Sequence, residues 1–373
     1  MFRYYCLSLL FFPVILGSGC VKTDPPPNPF REPITYPVGK SPAHLALADL
    51  NGDGFMDIAV ANMEGNSVSI LFGKNGGSFP ETTTLKMGRG PRWIVAGDFN
   101  EDQLVDLAVL LNEDDLVVIL SNQGRGFFLK TKEIKIERSP YAATTADFNG
   151  DAHLDLAIVS RFDHLLILLG DGRGGFSKGM LGDPGAIPTG IIPGHFNDDA
   201  ILDLAIANNG TPSSDVVFFW GKGDGSFVKG DRYRTGMNPL ALISADFNQD
   251  NRPDILAING LGDSLTLFVS NKEGKYSKNR DFGADGGPVS AVAHDLNRDQ
   301  ILDLVVANTR SNNISYMLGK KGGGFEHPPL NLYTGKAPFY LLAEDLNQDG
   351  RMDLVVANND DESVSILLGK QGF

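Results

Sequence analysis

The chain of 373 residues is 42 % apolar and 21 % charged and holds 44 glycines and 21 prolines, a balance that fits a β-rich globular protein and excludes long helices built from Ala, Glu, Lys, Leu and Arg. The formal net charge of -14 and the lack of a local basic patch argue against nucleic acid or another polyanion as a partner. Length is a soft guide to domain number, which an internal repeat would override.

The first twenty residues, MFRYYCLSLLFFPVILGSGC, carry one positive charge at Arg3, an apolar run, and small residues before Cys20, the pattern of an export signal. The end, LGSGC, resembles a bacterial lipoprotein signal, in which the cysteine becomes the lipid-bearing first residue; Gly17 departs from the aliphatic usual at its place. The resemblance implies a signal over residues 1–20, lipidation at Cys20, and an exported protein held to membrane by that lipid, at the outer membrane or surface of a bacterial cell envelope. An ordinary signal peptide is the alternative. Cys6 would be removed with the signal, so no thiol pair remains for a disulfide. No second apolar stretch reaches the roughly 18 residues of a spanning helix. Residues 21–29 are proline-rich and read as an extended spacer.

The folded body spans residues 30–373. Its first motif, DLNGDGFMD from Asp49 to Asp57, sets carboxylate or amide side chains at the first, third, fifth and ninth places, and Gly52 and Gly54 argue for a tight loop rather than a strand. The motif returns as DFNEDQLVD at Asp98, DFNGDAHLD at Asp147, HFNDDAILD at His195, DFNQDNRPD at Asp246, DLNRDQILD at Asp295 and DLNQDGRMD at Asp345. These seven copies stand 48 to 51 residues apart, and each follows a proline by seven residues: Pro42, Pro91, Pro140, Pro188, Pro239, Pro288 and Pro338. After each loop comes an apolar run such as IAVA or LVVA, too short for a helix and suited to a strand covered on both faces. A further strand follows (SVSILFG, LVVILS, LLILLG and counterparts), then a glycine turn and an aromatic, at Phe79, Phe127, Phe176, Phe227, Tyr276, Phe325 and Phe373.

One unit thus holds four strands: A up to the acidic loop, B after it, C to the glycine turn, and D from the aromatic to the next proline. A period near 50 with four strands describes a propeller blade. The expected fold is all-β, a seven-bladed β-propeller of four-stranded antiparallel blades. The last unit lacks strand D, whereas FREPITYPVGKSP at the start matches FEHPPLNLYTGKAP from Phe325. The N-terminal strand should therefore complete the last blade and remove its open edge.

The nine-place pattern between strands A and B resembles the calcium loops of FG-GAP repeats, also called VCBS repeats, known from the integrin α-subunit propeller and from bacterial exported proteins. In that family the side chains at places one, three, five and nine and the carbonyl at place seven hold the ion. The resemblance implies up to seven Ca2+ sites. The first uses Asp49, Asn51, Asp53, the Phe55 carbonyl and Asp57. Its counterparts are Asp98, Asn100, Asp102 and Asp106, then Asp147, Asn149, Asp151 and Asp155, then Asn197, Asp199 and Asp203. Next come Asp246, Asn248, Asp250 and Asp254, then Asp295, Asn297, Asp299 and Asp303, and last Asp345, Asn347, Asp349 and Asp353. Loop four departs from the pattern, because His195 stands first and imidazole is a poor calcium ligand. Charge supports the cation independently: carboxylates near 4 Å repel by about 4 kcal/mol per pair at an effective dielectric of 20, and a hard divalent ion relieves this. An EF-hand is excluded by Val60 at the twelfth place, where glutamate would stand. Calcium is expected to stabilise rather than catalyse.

The six histidines, at 44, 153, 164, 195, 294 and 327, are scattered without a triad order or recurrent metal spacing. Loops D–A and B–C lie opposite the acidic loops, on the face that binds ligand in related propellers. There the residues after the prolines offer His44, Arg92, Trp93, Tyr141, Phe339 and Tyr340, a composition typical of contact hot spots; the alternative is that they plug the channel mouth. The expected function is a monomeric, calcium-binding, lipid-anchored module that binds protein or glycan. The rival is a secreted carbohydrate-active enzyme, a polysaccharide lyase or hydrolase on the same scaffold.

Overall fold

The computed structural model describes residues 25–136, 138–210 and 214–371. The export signal, Cys20 and Phe373 lie outside these residues. Among the described residues every regular element is a strand, and the strands form seven four-stranded antiparallel sheets. In blade one, strand A is Pro42–Ala48, strand B Asp57–Asn62, strand C Ser67–Lys74 and strand D Ser78–Lys86, paired in that order. The A strands of successive blades touch one another in a closed circuit in which Pro338–Glu344 of blade seven meets Pro42–Ala48 of blade one.

The expected closure is present. Ile34–Pro37 pairs antiparallel with Ser363–Leu367, with Ile34 opposite Ile366 and Pro37 opposite Ser363, so the N-terminal segment is strand D of blade seven. Phe30 lies opposite Gly369, the Arg31 N–H donates to the Leu368 carbonyl at 2.8 Å, and the Lys370 N–H donates to the Pro29 carbonyl at 2.7 Å. The Phe30 ring is 1 % exposed, edge-on to Tyr316 at 6.4 Å and packed with Val305, Leu341, Leu354 and Val356. Its contacts span blades six and seven, so it fastens the ring as well as its own sheet.

Strand B carries an unbroken apolar run because both of its faces are covered. Ile58, Ala59, Val60 and Ala61 are fully buried, as are Leu354, Val355, Val356 and Ala357 of blade seven. The core is accordingly a series of clusters between blades, such as Ala59, Val68 and Ile70 against Ile94, Leu107 and Val109. Each such valine, leucine or isoleucine contributes about 1.5 to 3 kcal/mol. Two details differ from expectation. In blade two the buried aromatic is Phe128, whereas Phe127 is 61 % exposed, because Phe128 is the residue that pairs with the end of strand C, at Asn122, as Phe176 pairs with Gly170 in blade three. In blade six strand D is only Leu330–Leu332, and Phe325 is held apart from it by an isolated bridge to Gly319.

Every A strand shares one irregularity that the sequence does not announce. The residue before the proline is left-handed in all seven blades: Ser41, Gly90, Ser139, Ile187, Asn238, Gly287 and Ala337. Each of their carbonyls accepts an N–H from the end of strand B, from Met63 at 2.9 Å through Asn359 at 2.9 Å. The residue after the proline is a bulge, skipped by the pairing register in all seven blades. Bulges re-aim side chains, and here they aim them at the axis of the ring.

Candidate functional site

The acidic loops join strands A and B at one end of the ring. In each, the third-place amide oxygen accepts the fifth-place N–H, as in Asn51 with Asp53 at 2.8 Å, and the fifth-place carboxylate accepts the seventh-place N–H, as in Asp53 with Phe55 at 3.1 Å. The first-place carboxylate spans the turn: Asp49 accepts N–H groups from Gly52 at 2.7 Å and Gly54 at 2.8 Å. The chain therefore passes through the left-handed region at the fourth and sixth places, with φ of 78° and 85° at Gly52 and Gly54 and 58° and 69° at Glu101 and Gln103. Glycine is thus not required there. Loop four is the exception. His195 turns its Nδ1 to the Ile201 carbonyl at 3.0 Å instead of spanning the turn, and Asp198 and Ala200 are not left-handed.

The ninth-place aspartates do something sequence reasoning missed. All seven, Asp57, Asp106, Asp155, Asp203, Asp254, Asp303 and Asp353, are fully buried. Each spends one oxygen on the N–H of the second loop residue and the other on the N–H at the end of strand C, as Asp57 does with Leu50 at 2.9 Å and Gly73 at 2.7 Å. The carboxylate thus clamps loop to hairpin; in blade one a Cβ at Gly73 would lie 2.1 Å from the Met56 carbonyl, whereas Asn122 and Ser270 make the same bond in blades two and five. Gly170, Gly221 and Gly319 face the same obstruction. Burial, with help from neighbouring loop aspartates, pushes Asp57, Asp106, Asp254, Asp303 and Asp353 up to about 6 against the pull of those N–H groups. Asp155 and Asp203 rise for the same reason.

The oxygen-only donor set fits a hard cation such as calcium, and each ninth-place oxygen keeps a lone pair beyond the N–H it accepts. Among the described residues no group of three or more His, Cys, Asp or Glu side chains is arranged so that it could hold a metal; the loop oxygens face their own amides. Two loops also have a basic neighbour at the fifth place, Lys74 on Asp53 at 2.8 Å and Arg351 on Asp349 at 2.7 Å. The fourth-place side chains reach across to the next loop. Gln249 donates to the Gln300 carbonyl at 2.6 Å, Arg298 to the Gly350 carbonyl at 2.6 Å and Gln348 to the Gly54 carbonyl at 2.8 Å, and Glu101 meets His153.

At the opposite end, the structure brings the six candidate ligand-face residues together around the axis. The His44 ring is 5 % exposed and stacks on Trp93 with centroids 3.7 Å apart and on Tyr340 at 4.0 Å. The Arg92 guanidinium lies 3.6 Å from the centre of the Tyr141 ring. Phe339, Tyr340, Arg92, Trp93 and Tyr141 line a cavity of about 40 Å³ at the mouth. Beyond it the A strands from Leu45 to Glu344 line a wider space of about 450 Å³. The aromatic stack therefore narrows this end of the channel. Burial drives His44 down to about 3, aided by the Arg92 charge and only partly opposed by the Ile94 backbone. Beneath the mouth, Asn62, Asn259, Asn308 and Asn358 at the ends of the B strands are buried and donate to Ser or Thr hydroxyls of strand C, as Asn62 does to Ser69 at 2.9 Å.

Residues 49–109, 98–158, 195–257, 246–306 and 295–356 match the model of the FG-GAP-like repeat, each segment starting on the first place of an acidic loop. No curated protein matches the chain. Among solved structures, BBS1N in complex with ARL6DN is similar with a TM-score of 0.63 at 12 % identity, over 92 % of this chain and 98 % of that one. A protein from Lactobacillus plantarum is similar with a TM-score of 0.62 at 13 % identity, over 81 % of this chain and 87 % of that one. At such identities the likeness is one of fold.

Proposed function

Since this chain belongs to the FG-GAP-like repeat family, we propose that it is a calcium-binding extracytoplasmic lipoprotein whose propeller acts as a protein- or glycan-binding module. The observation that carries the cation reading is the buried ninth-place aspartates Asp57, Asp106, Asp155, Asp254, Asp303 and Asp353, each below a first-place aspartate and none of them in an ion pair among the described residues. Buried charge without a counter-charge is costly. Calcium would supply that charge in the loops that start at Asp49, Asp98, Asp147, Asp246, Asp295 and Asp345, held by the first-, third-, fifth- and ninth-place side chains. Loop four is left out, because His195 has taken the place of the first carboxylate and is committed to Ile201.

With one end of the ring given to these loops, recognition falls to the other, where arginine and aromatic side chains gather at the axis. One structure of this fold was solved as a complex, BBS1N with ARL6DN, so protein partners belong in the search beside glycans. Cys20 would carry the lipid, tested by a labelled fatty acid that a Cys20→Ser variant fails to take up. The ligand face is tested by pull-down and glycan array with Trp93→Ala and Tyr340→Ala variants. Loss of capture in both supports the binding reading, and turnover of a polysaccharide would replace it with the enzymatic one.

A further inference from the structure

We propose that the channel mouth is a receptor for one small oxyanion, the carboxylate of an acidic side chain or chain end offered by a protein partner, with Arg92 and Trp93 as its donors. The inference rests on the reading of this end as the ligand face and names the chemistry it recognises. Arg92 stands on the bulge after Pro91, which aims it at the axis. Its Nε is buried without a hydrogen-bond partner, and among the described residues its one side-chain hydrogen bond is a long contact of 3.7 Å to the Met63 sulfur and it enters no ion pair. In a chain of net charge -14, a half-buried guanidinium without a carboxylate is out of keeping with its surroundings.

The neighbours share the same imbalance. Trp93 Nε1 is buried and unpartnered, while the His44 ring stacked on it leans on the Ile94 backbone. The lining holds no aspartate or glutamate, and its one hydroxyl of threonine, at Thr189, is turned to the Pro239 carbonyl at 2.6 Å. Arg161 lies close enough to repel Arg92 and has no ion pair among the described residues, which makes the local field positive. Unpaired buried donors beside a cavity call for an acceptor, and a planar fork of N–H groups suits a carboxylate.

Size decides between sources. The cavity is about 40 Å³, where one water needs about 10 to 15 Å³. A carboxylate fits, whereas a sugar ring, to which a uronate carboxylate is directly bound, does not. A glutamate, aspartate or chain end reaches in on its own tether while the rest of the partner stays on the rim. That rim displays apolar side chains on the D–A and B–C loops: Ile187 beside Phe162, and Met237, 66 % exposed, beside Leu261, 60 % exposed.

The test is 15N NMR of the full folded chain, following the Arg92 Nε–H and Trp93 Nε1–H signals, assigned with Arg92→Lys and Trp93→Phe variants. The probes are acetate, the peptide acetyl-Gly-Glu-Gly-amide, and trigalacturonate. Saturable shifts of both signals with acetate and with the peptide are expected, weakened about tenfold or more in Arg92→Gln, the loss of one charge-assisted hydrogen bond. Melting of each variant establishes that it is folded; if Arg92→Gln is not, Arg92→Lys serves, since it keeps the charge without the planar fork and should also bind more weakly. No saturable shift in the wild type, or an undiminished shift in the folded Arg92 variant, overturns the site. Binding of trigalacturonate in preference to the peptide overturns the peptide source. A wild-type chain that captures a ligand through Tyr340 yet ignores acetate sinks this subsite alone and leaves the binding-module reading standing.

Discussion

Truncating Phe30 to alanine isolates the bond that closes the ring. The side chain is 1 % exposed and touches both blade six and blade seven, while the backbone bridges of Arg31 and Lys370 do not depend on it. Loss of a buried phenylalanine costs about 3 to 5 kcal/mol. For a ring of this length the unfolding entropy is roughly 0.7 kcal/mol/K, so the melting temperature should fall by about 4 to 7 °C. Tyr333 provides the control, since it is 73 % exposed and its loss should cost under about 0.5 kcal/mol. Differential scanning calorimetry of the two variants beside the wild type reads the difference. Equal melting of Phe30→Ala and Tyr333→Ala would mean that the N-terminal segment is an ornament on a ring closed by other means.

Other sites offer independent checks. Gly73→Ala puts a Cβ 2.1 Å from the Met56 carbonyl and should destabilise by several kcal/mol, whereas Gly76→Ala meets no atom within 4 Å and bears only the cost of φ at 82°, about 1 to 2 kcal/mol. Ile187 is a β-branched residue at φ 54° and is 38 % exposed, so Ile187→Gly should raise the melting temperature slightly, and a fall would show that the turn into strand A is not strained. His44 gives a pH signature. Its folded pKa of about 3 lies below the ordinary 6.5, so the unfolded chain takes up the proton first and stability is lost as pH falls from 6.5 toward 3. At pH 5 this His44 contribution is a loss of about 2 kcal/mol, while the ninth-place aspartates raised to about 6 shift stability the opposite way in both chains, so urea titrations should show the stability of the wild type relative to His44→Phe falling by about 2 kcal/mol from pH 7 to pH 5.

The repeat made the architecture legible. Acidic loops in register with prolines fixed seven blades, and the match between the Phe30 and Phe325 segments placed the closing strand. The gathering of His44, Arg92, Trp93, Tyr141, Phe339 and Tyr340 at the axis was also legible, since they share a place in the repeat. What stayed hidden depended on backbone geometry rather than composition. The bulge after each proline, and the left-handed residue before it, occur with Ser, Gly, Ile, Asn and Ala alike, so no residue type signals them. Phe127 is the first aromatic after its turn, yet Phe128 follows Asp106 by 22 residues as Phe79 follows Asp57, so this core residue was legible in the spacing. The ninth-place aspartates matched a ligand pattern, and that pattern concealed their hold on the amides of Leu50 and Gly73 and their counterparts.

Calcium dependence of melting tests the account most directly. With an affinity of roughly 10⁻⁴ to 10⁻³ M per loop, about 10 mM calcium stabilises the folded chain by about 1.4 to 2.7 kcal/mol per occupied loop. Loops filled together should raise the melting temperature by about ten degrees or more, with six ions bound and Asp57→Asn costing one of them. An identical melting temperature in excess calcium and in excess chelator would contradict the claim that these loops are cation sites.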